Sequence, residues 1–62
     1  MSKALALIKR SISHNEIAHG KYDAETAMEL KSLSDDSVEN GDVIEYWGTD
    51  DDGDEWRVHL DI

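Results

Sequence analysis

The sequence predicts a small α+β domain, with two or three short N-terminal helices followed by a C-terminal antiparallel β-hairpin. Three observations predict it. Apolar residues near the start recur at helical spacing. Trp56, Val58, Leu60 and Ile62 alternate with polar residues at the end. Between two strand-like segments lies an acidic run, Thr49-Asp50-Asp51-Asp52-Gly53-Asp54-Glu55. At 62 residues the chain is one domain, close to the size below which a hydrophobic core alone cannot hold a fold.

The first element is a helix over residues 3–12. At 100° per residue Ala4, Leu5, Leu7, Ile8 and Ile12 share an arc of about 160°, with Lys3, Lys9 and Arg10 outside it. Ser2 is an available N-cap. Ala4, Ala6, Ile8 and Ile12 also share a period-2 face, so a strand is the rival reading. The abundance of Ala, Leu, Lys and Arg favours the helix.

Ser13 and Glu16 have capping-box spacing, which predicts a short second helix through Ile17, Ala18 and His19. Gly20 would end it in a left-handed conformation. Asp23 is the expected N-cap of a further helix, with Glu25 in its first turn complementing the dipole. Ala24, Ala27, Met28 and Leu30, extended by Leu33, would form its apolar side. A polar linker from about Ser34 would close at Asn40-Gly41.

The hairpin admits two registers. Its second strand is half-buried, with Trp56, Val58, Leu60 and Ile62 alternating with Glu55, Arg57, His59 and Asp61. Its first, Asp42 to Gly48, is apolar on both faces: Val43 and Trp47 on one, Ile44 and Tyr46 on the other. A two-residue Asp52-Gly53 turn places Trp47 opposite Val58, whereas a three-residue turn pairs Tyr46 with Val58 and Ile44 with Leu60. The Asp-Gly signal favours the two-residue turn, with Val43 and Trp47 inward. That register also sets Asp51 against Asp54 and Asp50 against Glu55, like-charge pairs that favour a longer loop.

Fifteen Asp+Glu against six Lys+Arg give a net charge of −9. Such a field repels phosphate backbones and anionic lipids, so simple nucleic-acid binding at ordinary salt is disfavoured. A binder that presents carboxylates to a basic partner has this balance. So does a protein adapted to high salt, where charge is screened over a few ångströms. Cysteine is absent, which removes disulfides and thiolate chemistry. No apolar run reaches the length of a membrane span or a signal sequence, and a cytoplasmic protein is expected.

No cofactor and no dedicated metal site are expected. Placing Gly53 at the sixth position of a calcium loop puts Gly48 first and His59 twelfth, where a bidentate glutamate is required. His14, His19 and His59 lack a convincing metal spacing and read as surface or helix-end residues. Neither a nucleophile elbow nor a glycine-rich phosphate loop is present, so an enzyme is not expected. The expected site is a partner-binding surface. It comprises Asp50, Asp51, Asp52, Asp54 and Glu55 at the tip, Glu25, Glu29, Asp35 and Asp36 elsewhere, and Trp47 or Tyr46 as aromatic anchor. Whichever of these two faces outward would supply the anchor.

The order of elements resembles a winged helix-turn-helix domain. The likeness is carried by Glu16-Ile17-Ala18-His19-Gly20, by Asp23-Ala24-Glu25-Thr26-Ala27 with Leu30 and Leu33, and by the hairpin as wing. The resemblance implies a third helix in the DNA major groove, yet that helix offers Asp23, Glu25, Glu29, Asp35 and Asp36 against one Lys31. In size and acidity the chain is also similar to phage-encoded inhibitors of bacterial defence enzymes, including anti-CRISPR proteins that mimic nucleic acid. The expected function is therefore an acidic module that competes with nucleic acid for a basic protein, in the host cytoplasm if phage-encoded. The alternative is a winged-helix DNA-binding regulator from a salt-adapted organism. Either is compatible with a homodimer.

Overall fold

The computed structural model describes residues 2–62. In chain order it comprises α1 (Lys3–His14), β1 (Ala18–Lys21), α2 (Ala24–Leu33), β2 (Asp36–Asn40), β3 (Val43–Thr49) and β4 (Glu55–Asp61). Two helices cover one face of a four-stranded mixed sheet of order β1-β4-β3-β2. β1 runs parallel to β4, and the other neighbours are antiparallel. The fold is thus α+β as expected, with two more strands and one fewer helix than the fullest sequence reading.

α1 begins as predicted, with the Leu5 N–H donating to Ser2 Oγ at 3.1 Å. Its inward stripe is Ala4, Ile8 and Ser11, flanked by Leu7 and Ile12, while Leu5 is exposed. The helix runs two residues past its predicted end and stops at Asn15, whose φ of 51° is left-handed. Asn15 N–H donates to Ile12 O and Glu16 N–H to Ser11 O, the paired bonds of a Schellman closure. Ser13 and Glu16 therefore end a helix here and do not start one.

The predicted second helix over Ile17, Ala18 and His19 is replaced by β1. A single helical turn does not offset its nucleation cost, whereas pairing with β4 buries Ala18 and satisfies the backbone. Gly20 accordingly ends no helix. A Cβ there would lie 3.2 Å from Leu7 Cδ1, so it lets α1 approach the sheet closely.

α2 has the predicted cap, Asp23 Oδ1 accepting from Glu25 N–H at 3.0 Å and Thr26 N–H at 3.5 Å. Thr26, Ala27 and Leu30 are its buried residues, and Met28 and Leu33 face solvent, contrary to the predicted apolar side. The segment read as a linker is the edge strand β2. It joins β3 through Gly41 (φ +63°) and Asp42, with glycine at the first turn position as a type II′ hairpin requires.

The hairpin takes the three-residue register. Tyr46 pairs with Val58, Ile44 with Leu60 and Gly48 with Trp56, so Tyr46 is buried and Trp47 lies on the opposite face. The preference for Val43 and Trp47 inward is corrected on two physical grounds. Gly53, at φ +86°, serves as the left-handed third loop residue after a turn closed by its own N–H to Asp50 O. Trp56 also needs a glycine opposite it, because a Cβ on Gly48 would lie 3.0 Å from Trp56 Cζ2. The two-residue turn would have put Thr49 there.

The core contains Ala4, Ile8, Ala18, Ala27, Leu30, Tyr46, Trp56, Val58 and Leu60. Ser11 ties its layers together. Its buried Oγ accepts from the Arg57 N–H of β4 at 2.9 Å and donates to Glu16 O at 2.8 Å. It thereby fixes the C-terminal end of α1 against β4, just before β1 begins to pair.

Candidate functional site

The acidic tip is built around one carboxylate. Asp50 Oδ1 accepts from the N–H groups of Asp52 (3.0 Å) and Asp54 (2.8 Å), and Asp50 N–H donates to Asp54 O. Asp50 is therefore turned into the loop and half-buried, leaving Asp51, Asp52, Asp54 and Glu55 exposed. Side-chain oxygens of Asp50, Asp52 and Asp54 lie within 4.8 Å of one another. These three are the residues that could hold a hard cation, each supplying one oxygen where calcium takes six to eight.

β2 adds to this acidity. Asp35 N–H donates to Trp47 O at 2.9 Å, Thr49 Oγ1 donates to Asp35 Oδ2 at 3.4 Å, and Asp36 pairs with Trp47. Asp35 and Asp36 are thus held at the same end of the sheet as the tip. Glu16, expected as a capping residue and not as part of the binding surface, joins them at the end of α1. An open groove of about 550 Å³ runs between these parts, with Asn15, Glu16, Asp35, Thr49, Glu55 and Arg57 among its lining residues.

The remaining predicted residues separate from this group. Tyr46 is only 4% exposed, and burial, with Tyr22 and Glu39 nearby, raises its phenol above the usual value. It is a core residue and no anchor. Trp47 takes the outward place, half-buried on the helix-free face between Asp36 and Arg57. Glu25 and Glu29 lie on α2, in the layer on the other side of the sheet, and Glu29 is half-buried. The structure does not gather them with the tip.

Charge is unevenly spread. α1 holds three of the six Lys+Arg and no acid, leaving all fifteen carboxylates to the rest of the chain. The helix-free face carries a further polar row. His19 stands opposite His59, and His59 opposite Glu45. Glu45 Oε2 is 3.1 Å from His59 Nε2, and its Oε1 is 3.4 Å from Arg57 Nε. The sequence hides this row, because its local pattern places His19 in a helix and not beside β4.

Residues 16–20, one of the three segments behind the winged-helix likeness, are not helical. Among the described residues no helix is long and apolar enough to cross a membrane. No protein-family model, curated protein or solved structure matches the chain.

Proposed function

We propose that this protein is a non-enzymatic acidic binding module that competes with nucleic acid for a basic groove on a protein partner. One observation carries the reading. Two segments far apart in sequence, Asp35-Asp36 and Asp51 to Glu55, converge at one end of the sheet beside an outward tryptophan. Carboxylates in this arrangement stand in for phosphates and accept charge-assisted hydrogen bonds from Arg and Lys. The net charge of −9 steers encounter with a basic surface. Trp47 supplies apolar contact area next to the charges, as interface anchors do. Glu25 and Glu29 take no part, since they lie in the helical layer. An inhibitor acting in a phage-infected cell against a nucleic-acid-binding defence enzyme is the concrete form of this reading.

Replacing Asp51, Asp52 and Asp54 by lysine reverses the exposed tip charges and leaves the structural carboxylate of Asp50 intact. Capture of a basic protein by the immobilised wild type, and its loss in this variant, is the expected result. Unchanged capture would remove the tip from the interface. A DNA-binding regulator from a salt-adapted organism would behave in the opposite way. It would gain structure on transfer to molar salt and bind duplex DNA there itself, whereas the inhibitor is folded at low salt and loses its partner as salt rises.

A further inference from the structure

We propose that His19, His59 and Glu45 form a binding site for a zinc-type divalent cation on the helix-free face of the sheet. The backbone places the three side by side, on β1, β4 and β3, through the pairs His19–His59 and His59–Glu45. Two imidazoles and one carboxylate are a donor set that zinc takes with three protein ligands and one open position. The site shares no ligand with the acidic tip, although Arg57, which touches Glu45, also lines the groove beside Trp47.

Two of the three ligand atoms already stand at zinc spacing, and the third has to move to join them. Zinc bonds of about 2.0–2.1 Å at tetrahedral angles hold neighbouring ligand atoms about 3.3 Å apart. His59 Nε2 and Glu45 Oε2 are 3.1 Å apart. His59 Nε2 is buried and makes no well-aligned hydrogen bond despite that closeness, leaving a polar atom without the partner that burial calls for. The rings of His19 and His59 meet edge to face, 5.1 Å between centroids and 82° between planes. As placed, the His19 ring nitrogens do not lie within 4.8 Å of both other ligand atoms, so binding requires this exposed ring to turn toward His59 and Glu45, a motion of the picosecond-to-nanosecond class.

The surroundings are ordered for this role. Arg57 Nε, 3.4 Å from Glu45 Oε1, holds the second carboxylate oxygen and so orients the first, as outer partners of metal ligands do. Its positive charge opposes the cation and the overall charge of −9 attracts it. Lys21 and Asp61 form the next row on β1 and β4 and offset each other. The carboxylates of Asp50, Asp52 and Asp54 lack imidazole and suit harder cations, so they are the internal control.

Calorimetric titration of the full chain with Zn²⁺ in excess Mg²⁺, together with Co²⁺ absorption and NMR of the histidine rings, tests the assignment. The wild type is expected to bind one equivalent, to give the visible spectrum of a tetrahedral Co²⁺ site, and to shift the His19 and His59 ring signals. His19→Ala and His59→Gln are each expected to weaken Zn²⁺ at least about tenfold, since losing even an outer partner costs 10–100-fold. Circular dichroism verifies that both variants are folded, and His59→Ala replaces His59→Gln if the latter is not. Asp52→Asn with Asp54→Asn is expected to leave the affinity unchanged. Failure of the wild type to bind Zn²⁺ would overturn the proposal. So would binding that survives both histidine variants, or that is lost only in the tip variant.

Discussion

Replacing Ser11 by alanine removes the one side chain among the described residues that hydrogen-bonds α1 to the sheet. Ser11 is 4% exposed, and its Oγ serves the Arg57 N–H at 2.9 Å and the Glu16 carbonyl at 2.8 Å. Each partly buried backbone group left without a partner costs about 1–3 kcal/mol, toward the low end where water reaches it. Alanine recovers roughly 0.5 kcal/mol through helix propensity. The net loss is about 2 kcal/mol. A chain of this length has about 3–9 kcal/mol of total stability at about 0.05–0.15 kcal/mol per residue, so Ser11→Ala removes about a fifth of it or more. Urea unfolding followed by tryptophan fluorescence measures the change, with an unaltered m-value as the sign that both end states are preserved. Ser13→Ala is the control. Ser13 is exposed on the same helix, and its substitution is expected to stay within about 0.5 kcal/mol of wild type. A Ser11→Ala loss below about 0.5 kcal/mol would refute the bridging role.

Three further outcomes are expected. Gly48→Ala would set a Cβ 3.0 Å from Trp56 Cζ2 and 3.1 Å from the Asp35 backbone nitrogen, costing about 1–3 kcal/mol of overpacking, read as a lowered urea midpoint. Trp56→Ala is expected to cost about 3–5 kcal/mol as a core truncation. Trp47→Ala should cost clearly less while weakening partner capture; equal losses would contradict the hairpin register. The raised phenol of Tyr46 favours its neutral form in the fold. Its stabilisation is therefore complete below pH 10.0, the ordinary tyrosine value, and is lost as pH rises through the elevated one. Urea midpoints across the alkaline range should fall for wild type and fall less steeply for Tyr46→Phe.

The parts legible in the sequence were those set by local chemistry. Ser2 and Asp23 cap their helices as read, because an N-cap needs only its own side chain and the next turn's N–H groups. Trp56, Val58 and Leu60 face inward as alternation alone indicates, whereas Ile62, the fourth residue of that pattern, lies past the end of β4 and is exposed. What stayed hidden depends on distant partners. Ala18–Lys21 has no strand pattern of its own and becomes β1 only because β4 offers a parallel edge. Asp36–Asn40 carries a single apolar residue, Val38, which points outward, so nothing local marks β2 as a strand. Asp-Gly serves two loop lengths, so the turn is not fixed locally, and the space Trp56 requires over Gly48 selects the longer one. The acidic site was visible as the run Asp50 to Glu55. Its union with Asp35 and Asp36 needed the β2–β3 pairing, and the His19–His59–Glu45 row needed β1.

Competition with nucleic acid is the central claim, and elution by DNA tests it most directly. Immobilised wild-type protein, incubated at low salt with lysate of the native host, is washed and then treated with duplex DNA. The predicted result is a basic nucleic-acid-binding protein that is retained by the wild type, absent from the Asp51, Asp52 and Asp54 to lysine variant, and released by DNA. A retained protein that DNA leaves in place, or DNA binding by the chain itself, would contradict the claim.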